Sequence, residues 1–155
     1  MNVVTKDEGV IVTPGGSMVK AELARQLMVR GDNEIGMLAQ ITRVISKSDI
    51  NLVALCAYSI GNNVAVMFVT DDNNEAKRLL AAKGYDVQEE EVILLSIDNQ
   101  PGALQRVTDK IAEAGIDLAL VYGSVDASAA VNRSVVISSN NLEVMMIIKT
   151  ELERQ

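Results

Sequence analysis

The residues best suited to binding chemistry lie at Ile97–Leu104, where the chain reads Ile-Asp-Asn-Gln-Pro-Gly-Ala-Leu. They join an apolar run, Val92–Ile97, typical of a buried strand, to a helical pattern that starts at Pro101. Proline suits the first turn of a helix, and Gly102 has no Cβ, so another group can approach its backbone. Free N–H groups at a helix start favour a carboxylate or phosphate. This corner is a candidate anion site, although most such corners only turn the chain and cap a helix.

The same corner occurs earlier in the chain. Gly31–Leu38 reads Gly-Asp-Asn-Glu-Ile-Gly-Met-Leu, and its Gly36 precedes Gly102 by 66 residues. The same offset takes Leu38 to Leu104 and Asn51 to Asp117. Self-similarity at a fixed offset indicates repeated units. The sequence therefore predicts two copies of one small unit rather than one larger fold.

The composition excludes several classes of function. The 155 residues carry a formal net charge of -7, which argues against binding a phosphate backbone. Aromatic residues make up 3% of the chain, so a platform for stacking bases is not expected. There is no histidine, the commonest general base and metal ligand, and a single cysteine excludes an internal disulfide. With no basic segment followed by an apolar core at the N-terminus and no apolar run long enough to cross a bilayer, we expect a cytoplasmic protein without membrane contact.

Hydrophobic periodicity predicts the order β-α-β-β-α-β in the first copy and the same order without its last strand in the second. The elements of the first copy are strand Arg25–Arg30, helix Gly36–Lys47, strands Asn51–Ile60 and Val64–Thr70, helix Glu75–Lys83 and strand Tyr85–Gln88. Those of the second are strand Val92–Ile97, helix Pro101–Ala114, strands Asp117–Val125 and Val131–Ser138, and helix Leu142–Glu153.

The missing strand leaves a sheet edge to be covered. In this strand order the fourth strand borders the first, so Val92–Ile97 would have an open edge, which proteins usually cover. We predict that Gly9–Thr13 or a partner chain covers it. The domain boundaries follow as 1–22 for an N-terminal extension, 23–89 for the first unit and 90–155 for the second. The acidic run Glu89–Glu91 is interpreted as a solvated link between the units.

The duplicated motif resembles the ACT domain, a family of small regulatory modules. The resemblance rests on Asp98–Leu104 and on Ala-Gly-Ile-Asp-Leu-Ala at 114–119, with Asp-Asn-Glu-Ile-Gly-Met-Leu and Ser-Asp-Ile-Asn-Leu-Val in the first copy. It covers roughly Ala24 to the C-terminus. It implies an α+β fold of two ferredoxin-like βαββαβ units, each an antiparallel sheet with helices on one face. The units are expected to pair into one eight-stranded sheet through Leu52–Ser59 and Leu118–Ser124, within one chain or between chains.

The resemblance also implies a ligand site. Amino acids would bind where the corner of one domain faces the second strand of its neighbour. Asn99 would bond the ligand's polar groups, the N–H groups of Gly102 and Ala103 its carboxylate, and Asp117 its ammonium group. The first copy departs from the motif at Ile35, where proline is expected. The candidate ligand-binding residues are Asp98, Asn99, Gln100, Pro101, Gly102, Ala103, Leu104 and Asp117, with Asn33, Glu34, Ile35, Gly36, Met37, Leu38 and Asn51 in the first copy.

These residues also have purely structural interpretations. Asparagine and aspartate before a helix serve as N-caps, and the same types at strand ends serve as solvent-facing turn residues. Cys56 lies in an apolar strand and fits a small core residue better than a reactive thiol. The pair Asp71-Asp72 fits a helix cap better than a Mg²⁺ site, since no further carboxylate is spaced to complete one. The residues open to the cap interpretation are Asp32, Asn33, Asp98 and Asn99, and those open to the turn interpretation are Asn51 and Asp117.

The functional hypothesis is a regulatory protein that binds a free amino acid between its two units. It would form a homodimer and act on a metabolic enzyme. Neither a catalytic residue, a metal site nor a cofactor is expected, because no pairing of a nucleophile with a base is visible. The alternative is a ligand-independent interaction module or a regulatory subunit of an amino-acid biosynthetic enzyme. A nucleic-acid binder is the least favoured class, given the acidic charge.

Overall fold

A computed structural model describes residues 6–7, 10–11, 18–32, 34–124 and 126–153. It is an α+β structure whose long strands pair antiparallel, as predicted. The helices of these residues are all too short or too polar for a membrane span. The strands are β1 Lys6–Asp7, β2 Val10–Ile11, β3 Val19–Asp32, β4 Leu52–Ile60, β5 Asn63–Thr70, β6 Val87–Asp98, β7 Leu118–Ser124 and β8 Val131–Ser138. The helices are α1 Met37–Ser46, α2 Asn73–Ala82, α3 Ala103–Glu113 and α4 Asn141–Ile147, which continues into a π-helical turn, Ile148–Leu152.

The chain divides into two compact units. The first unit is Leu23–Val92, and the second combines Met1–Glu22 with Ile93–Gln155. Strands β3 and β6 are therefore each divided between the two units.

The first unit has the strand order β6-β3-β5-β4. Leu27 and Val29 alternate along β3, so both face the side on which the two helices pack. Phe68 of β5 lies in the same cluster and is fully buried. The helical residues of this core are Met37, Ile41 and Ile45 of α1 with Ala76 and Leu80 of α2. The prediction of helices on one face of the sheet is confirmed for this unit.

The second unit has the strand order β3-β6-β8-β7. Its core joins β6 to α3 and α4, with Leu95, Val107 and Ile148 among its most buried side chains. Val19 and Ala21 of β3 belong to the same core. The first part of β3 is thus an integral strand of this unit.

The prediction for the open edge of Val92–Ile97 is wrong. The strand beside Ile93–Asp98 is Val19–Glu22, and the N–H of Asp98 donates to the carbonyl oxygen of Met18 at 3.1 Å. Val10–Ile11 pairs instead with β1, in the register Lys6 to Ile11. The other residues of Gly9–Thr13 lie outside the described part of the chain. The second unit therefore takes its fourth strand from the residues that precede the first corner.

The interpretation of Glu89–Glu91 as a solvated link is also wrong. These residues lie inside the continuous strand β6. Glu89 accepts a hydrogen bond from Nε of Arg25 at 2.7 Å, and Glu90 accepts one from the buried Gln26 at 3.2 Å. Side chains of the neighbouring strand β3 supply these partners, so the acidic run is compatible with a strand.

The Arg25–Glu89 pair predicts a pH-dependent contribution to stability. The hydrogen bond from Arg25 lowers the pKa of Glu89, against a smaller opposing effect of desolvation. Because the pKa is lower in the folded state, the pair stabilises the fold above the ordinary glutamate pKa and this gain is lost as the pH falls through the folded value. Arg25→Gln should reduce the free energy of unfolding at pH 7 by less than about 1 kcal/mol, since Arg25 is exposed.

Urea denaturation at a series of pH values measures this effect. The difference between wild type and Arg25→Gln should vanish in acid. Arg43→Gln, at an exposed position of α1, is the control and should show no such trend. A difference for Arg25→Gln that persists unchanged in acid would contradict the assignment.

The repeat is visible in the hydrogen bonds that start α2 and α4. Oδ1 of Asp72 accepts from the N–H of Glu75 at 3.1 Å, and Oδ1 of Asn140 accepts from that of Glu143 at 3.1 Å. The interpretation of Asp71-Asp72 as a cap is confirmed for Asp72. From Asp72 to Asn140 is 68 residues rather than the 66 that separate the corners. The two extra residues lie in the longer connection between β7 and β8.

Candidate functional site

The second corner ends strand β6 with a buried carboxylate. Asp98 is 7% exposed, and its Oδ2 accepts a hydrogen bond from the N–H of Met18 at 2.7 Å. Its own N–H donates to the Met18 carbonyl, so the two residues are joined by a pair of hydrogen bonds. The Asp98 carboxylate therefore holds the incoming end of β3, and it does not cap α3.

The side-chain amide and the backbone N–H of Asn99 all form hydrogen bonds within the chain. Its side-chain Nδ2 donates to the carbonyl oxygens of Asp126 and Ala129, both at 2.9 Å. Its Oδ1 accepts from Nδ2 of Asn132 at 2.9 Å, and its backbone N–H donates to the Ala130 carbonyl at 3.0 Å. The side chain thus fixes the connection between β7 and β8 beside the corner.

Replacing Asn99 with alanine tests this positioning role. The variant loses three side-chain hydrogen bonds and leaves the carbonyls of Asp126 and Ala129 without their donor. We expect a loss of about 1–3 kcal/mol in the free energy of unfolding, with faster amide hydrogen exchange at residues 126–130. Asn62→Ala, in the short turn of the first unit, is the matched control. Unchanged exchange in Asn99→Ala would contradict the role.

Helix α3 begins immediately after Gly102, two residues later than predicted. Gly102 has φ +84°, and Gly36, before α1, has φ +89°, a conformation that residues with a Cβ rarely adopt. A Cβ at either position would meet no atom within 4 Å. The backbone conformation is therefore what requires glycine at both corners.

Some backbone N–H groups at the start of α3 have no hydrogen-bond acceptor among the described residues. Ala103 donates to the Gln100 carbonyl at 3.2 Å. Among the described residues, the N–H groups of Leu104 and Gln105 donate to no acceptor. Within the part of the chain that the structure describes, no side chain caps α1 or α3, so the cap interpretation is wrong for Asp32, Asp98 and Asn99. Asn33 lies outside the described residues.

A cleft of about 290 Å³ adjoins this corner. Leu104, which is 44% exposed, borders it at the helix start, and Gly123 borders it on strand β7. In the register of this unit Gly123 lies opposite Ser134, and Ile97 lies opposite Asn132. Because Ile97 faces the helices, the cleft lies on the helix side of the sheet. The lining residues are Ile97, Asp98, Asn99, Gln100, Leu104, Val121, Tyr122, Gly123, Asn132 and Ser134.

The sequence predicted the residues on one side of this cleft but not those on the other. Asp98, Asn99, Gln100 and Leu104 were predicted; the residues of β7 and β8 were not. Their contribution depends on the register between the two strands, for which a single sequence gives no direct signal. Pro101, Gly102 and Ala103 belong to the corner but do not line the cleft.

Asp117 and Asn51 lie away from the corners of their own units. Asp117 precedes β7 and exchanges hydrogen bonds with Ser139, and Asn51 precedes β4 and exchanges them with Asp71. On β8, the residue opposite Asp98 is Val131, seven residues before Ser138, which lies opposite Leu118. At about 3.4 Å per residue this is about 24 Å. A role for Asp117 or Asn51 in a ligand site requires the corner of a different domain.

The first corner repeats the backbone hydrogen bonds of the second, in which the N–H of Gln100 donates to the Asp98 carbonyl at 2.9 Å. The N–H of Glu34 donates to the Asp32 carbonyl at 2.9 Å, and that of Met37 donates to the Glu34 carbonyl at 3.3 Å. Ile35 is fully exposed, and Leu38 is partly exposed. The nearby cleft, of about 640 Å³, is lined by Arg30, Gly31, Asp32, Tyr58, Ile60, Asn63, Val64 and Ala65. None of the predicted residues from Glu34 to Leu38 lines it.

Known structures with the same fold include regulatory subunits. A protein from Bacteroides thetaiotaomicron, BT0572, is 27% identical over 83% of this chain and 88% of that one, with a TM-score of 0.77. The ligand-free regulatory subunit of aspartate kinase from Thermus thermophilus is 15% identical over 89% and 97% of the two chains, with a TM-score of 0.61. Aspartokinase III of E. coli, in complex with lysine and aspartate, is 12% identical over 87% of this chain and 33% of that one, with a TM-score of 0.52. No family model and no curated protein matches the sequence.

The fold is therefore ACT-like and is shared with regulatory subunits of aspartate kinases. Among the described residues no group of three acidic, cysteine or histidine side chains is placed to hold a metal ion.

Proposed function

We propose that this protein is a regulatory module that binds a free amino acid in the cleft beside the second corner. The observation that supports it is the convergence of a helix start, with the free N–H groups of Leu104 and Gln105, on a cleft of about 290 Å³. That volume is just below the usual range of small-molecule sites, about 300–1,000 Å³, and suits a ligand as small as an amino acid. The fold shared with regulatory subunits of aspartate kinases supports a regulatory role for the module.

The chemistry of the cleft suits the carboxylate end of an amino acid. Unshared N–H groups at the start of a helix of 11 residues carry partial positive charge. Asn132 and Ser134 add polar groups to the floor. The Asp98 carboxylate already accepts from Met18, so the ammonium group of the ligand needs another acceptor. In the proposed assembly Asp117 of a second chain supplies it.

The assembly we propose is a homodimer joined through β4 and β7. Each of these strands pairs with one neighbour among the described residues, β4 with β5 and β7 with β8. Each therefore presents a free edge, which can add a strand from another chain. Among the described residues β4 and β7 are not paired with each other, so pairing within one chain is not found. The eight-stranded sheet requires a second chain and remains a prediction.

The proposed role is binding without catalysis. The chain has no histidine, and its one cysteine, Cys56, lies half-buried on β4. The structure shared with E. coli aspartokinase III, which was determined with lysine and aspartate, makes those two amino acids the first ligands to test. A regulatory effect further requires that the ligand bind two states of the protein with different affinity.

Calorimetric titration with each of the twenty amino acids tests the proposal. The informative variant is Leu104→Glu, which places a carboxylate in the cleft beside the free N–H groups. Gln105→Glu, at the next position and outside the cleft lining, is the matched control. We expect Leu104→Glu to weaken binding at least about tenfold and Gln105→Glu to keep most of it. Absence of heat with every amino acid would overturn the proposal.

The second candidate is an interaction module that needs no ligand. It is favoured by the exposed apolar side chains on the edge strand β4, where Ile60 is 72% exposed and Tyr58 45%. Edges of this kind bind other chains by adding a strand. Capture of a metabolic enzyme that is insensitive to every amino acid, and abolished by Leu55→Lys, would favour this candidate over the first.

A further inference from the structure

The second, larger cleft lies on the opposite face of the first unit from its helices. Leu27 and Val29 face the helices, so Arg30 and Asp32, at alternate positions of β3, face away from them. The register places two complete rows of side chains across three strands on that face. The first row is Arg30, Ala65 and Tyr58, and the second is Asp32, Asn63 and Ile60; all six line the cleft of about 640 Å³.

One side of this cleft carries both charges of a zwitterion-binding site. Arg30 and Asp32 are two residues apart on β3, so their Cα atoms are separated by about 6.8 Å. Both side chains are exposed. Among the described residues, neither the guanidinium of Arg30 nor the carboxylate of Asp32 takes part in an ion pair or a side-chain hydrogen bond. Both groups are therefore available to a ligand.

The other side of the cleft is apolar. Tyr58 and Ile60 lie two strands away from the charged pair, a distance of about 9.6 Å at the usual strand spacing. Between them lies Ala65, which is 5% exposed and contributes a small side chain to the floor of the cleft. In the second unit the same row runs Ser96, Arg133 and Ser124, so an arginine takes the place of Ala65. This arrangement of charges is thus specific to the first unit.

We infer that this cleft binds an α-amino acid with a large apolar or aromatic side chain. The ligand carboxylate pairs with Arg30, the ammonium group pairs with Asp32, and the side chain extends over Ala65 to contact Tyr58 and Ile60. The separation of the charged and apolar sides matches the length of such a molecule, and a small side chain would leave the apolar side unfilled. Arginine and a tyrosine ring are common anchors in binding sites.

This site is independent of the one under Proposed function. It lies in the other unit, on the side of that unit's strands that faces away from its own helices, and it uses no helix start. Ligand binding can be absent at one site and present at the other, so the experiment must show at which residues the ligand binds.

The test follows backbone amide resonances of the full-length protein by NMR during titration with three probes. L-Phenylalanine carries both charges, 3-phenylpropionate lacks the ammonium group, and phenethylamine lacks the carboxylate. Binding here should shift Gly31, Tyr58 and Gly61, whereas binding at the second corner should shift Gly102 and Gly123. Leu104→Glu should leave the first set of shifts unchanged.

The variants assign the two charges separately. Arg30→Gln should weaken phenylalanine and 3-phenylpropionate about tenfold and leave phenethylamine unchanged. Asp32→Asn should weaken phenylalanine and phenethylamine but spare 3-phenylpropionate. Tyr58→Ala should weaken all three probes, and Arg43→Gln, outside the cleft, should weaken none. All four positions are exposed, so the thermal midpoint provides a check that each variant is folded.

Two results would overturn the inference. One is the absence of saturable shifts at Gly31, Tyr58 and Gly61 with millimolar phenylalanine. The other is binding at those positions that Arg30→Gln and Asp32→Asn weaken no more than Arg43→Gln does.

Discussion

Replacing Val19 with aspartate is expected to unfold the second unit, whereas the same replacement of the next residue, Lys20, leaves it folded. Val19 is 4% exposed and lies in a core with Ile93, Leu95 and Val144. Lys20 points away from this core and is exposed. An aspartate at position 19 would have to bury an unpaired carboxylate, which costs several kcal/mol.

The expected loss for Val19→Asp is at least about 3 kcal/mol in the free energy of unfolding, a large share of the stability of a small domain. Urea denaturation gives this value, and amide hydrogen exchange along Ile93–Asp98 shows where the structure opens. Equal stability of Val19→Asp and Lys20→Asp would show that Val19–Glu22 is not a strand of the second unit.

A pair of truncations tests the same strand in another way. Removal of residues 1–17 keeps Met18, whose N–H donates to the Asp98 carboxylate, and it keeps the whole of β3. Removal of residues 1–22 takes away the strand beside Ile93–Asp98 and leaves the edge of β6 open. We expect the shorter truncation to stay soluble and folded, and the longer one to aggregate or lose the fold of its second unit.

The order of elements could be predicted because each element carries its own local signal. Strand β8 has the predicted bounds Val131–Ser138. The cap at Asp72 was predicted from residue type and position, because an aspartate directly before a helical pattern can accept from the N–H groups of the first turn. The periodicity of α1 and α3 gave both helices to within one or two residues at each end.

The continuity of β3 and β6 could not be predicted, because it depends on partners distant in sequence. Three consecutive glutamates at 89–91 are typical of a solvated segment, and only the neighbouring Arg25 and Gln26 make a strand possible there. The pairing of Asp98 with Met18 likewise joins residues 80 positions apart. The pattern of residue types along the chain does not indicate either contact.

The residues of the two proposed sites were predicted in part, for the same reason. The corner at Asp98–Leu104 has a local motif, and four of its residues line the cleft. The role of Asn99 in holding the Asp126–Ala130 connection was not predicted, because it depends on how the hairpin folds back. Arg30 and Asp32 were not predicted as site residues. Only the register between the strands places Tyr58 and Ile60 in the same rows as these two residues, and the sequence does not show that register.

A large loss of stability is also expected when Gly123 is replaced. It lies on β7 opposite Ser134, where a Cβ would come within 2.6 Å of the Ser134 Oγ and 2.8 Å of the Arg133 carbonyl oxygen. The side-chain oxygen can rotate away, but the carbonyl belongs to the backbone of β8 and cannot move without disturbing the sheet. Gly123→Ala should therefore destabilise the second unit by about 2–3 kcal/mol.

Gly31→Ala is the matched control for this prediction. Gly31 also lies in a strand, but its added Cβ would meet only the flexible end of Met37, at 3.5 Å. Its effect should stay within about 1 kcal/mol and can be stabilising, because alanine restricts the unfolded chain. Because Gly123 also borders the cleft at the second corner, Gly123→Ala should weaken amino-acid binding there as well, whereas Gly31→Ala should not. A Gly123→Ala variant as stable as Gly31→Ala would show that β7 and β8 are farther apart than their register implies.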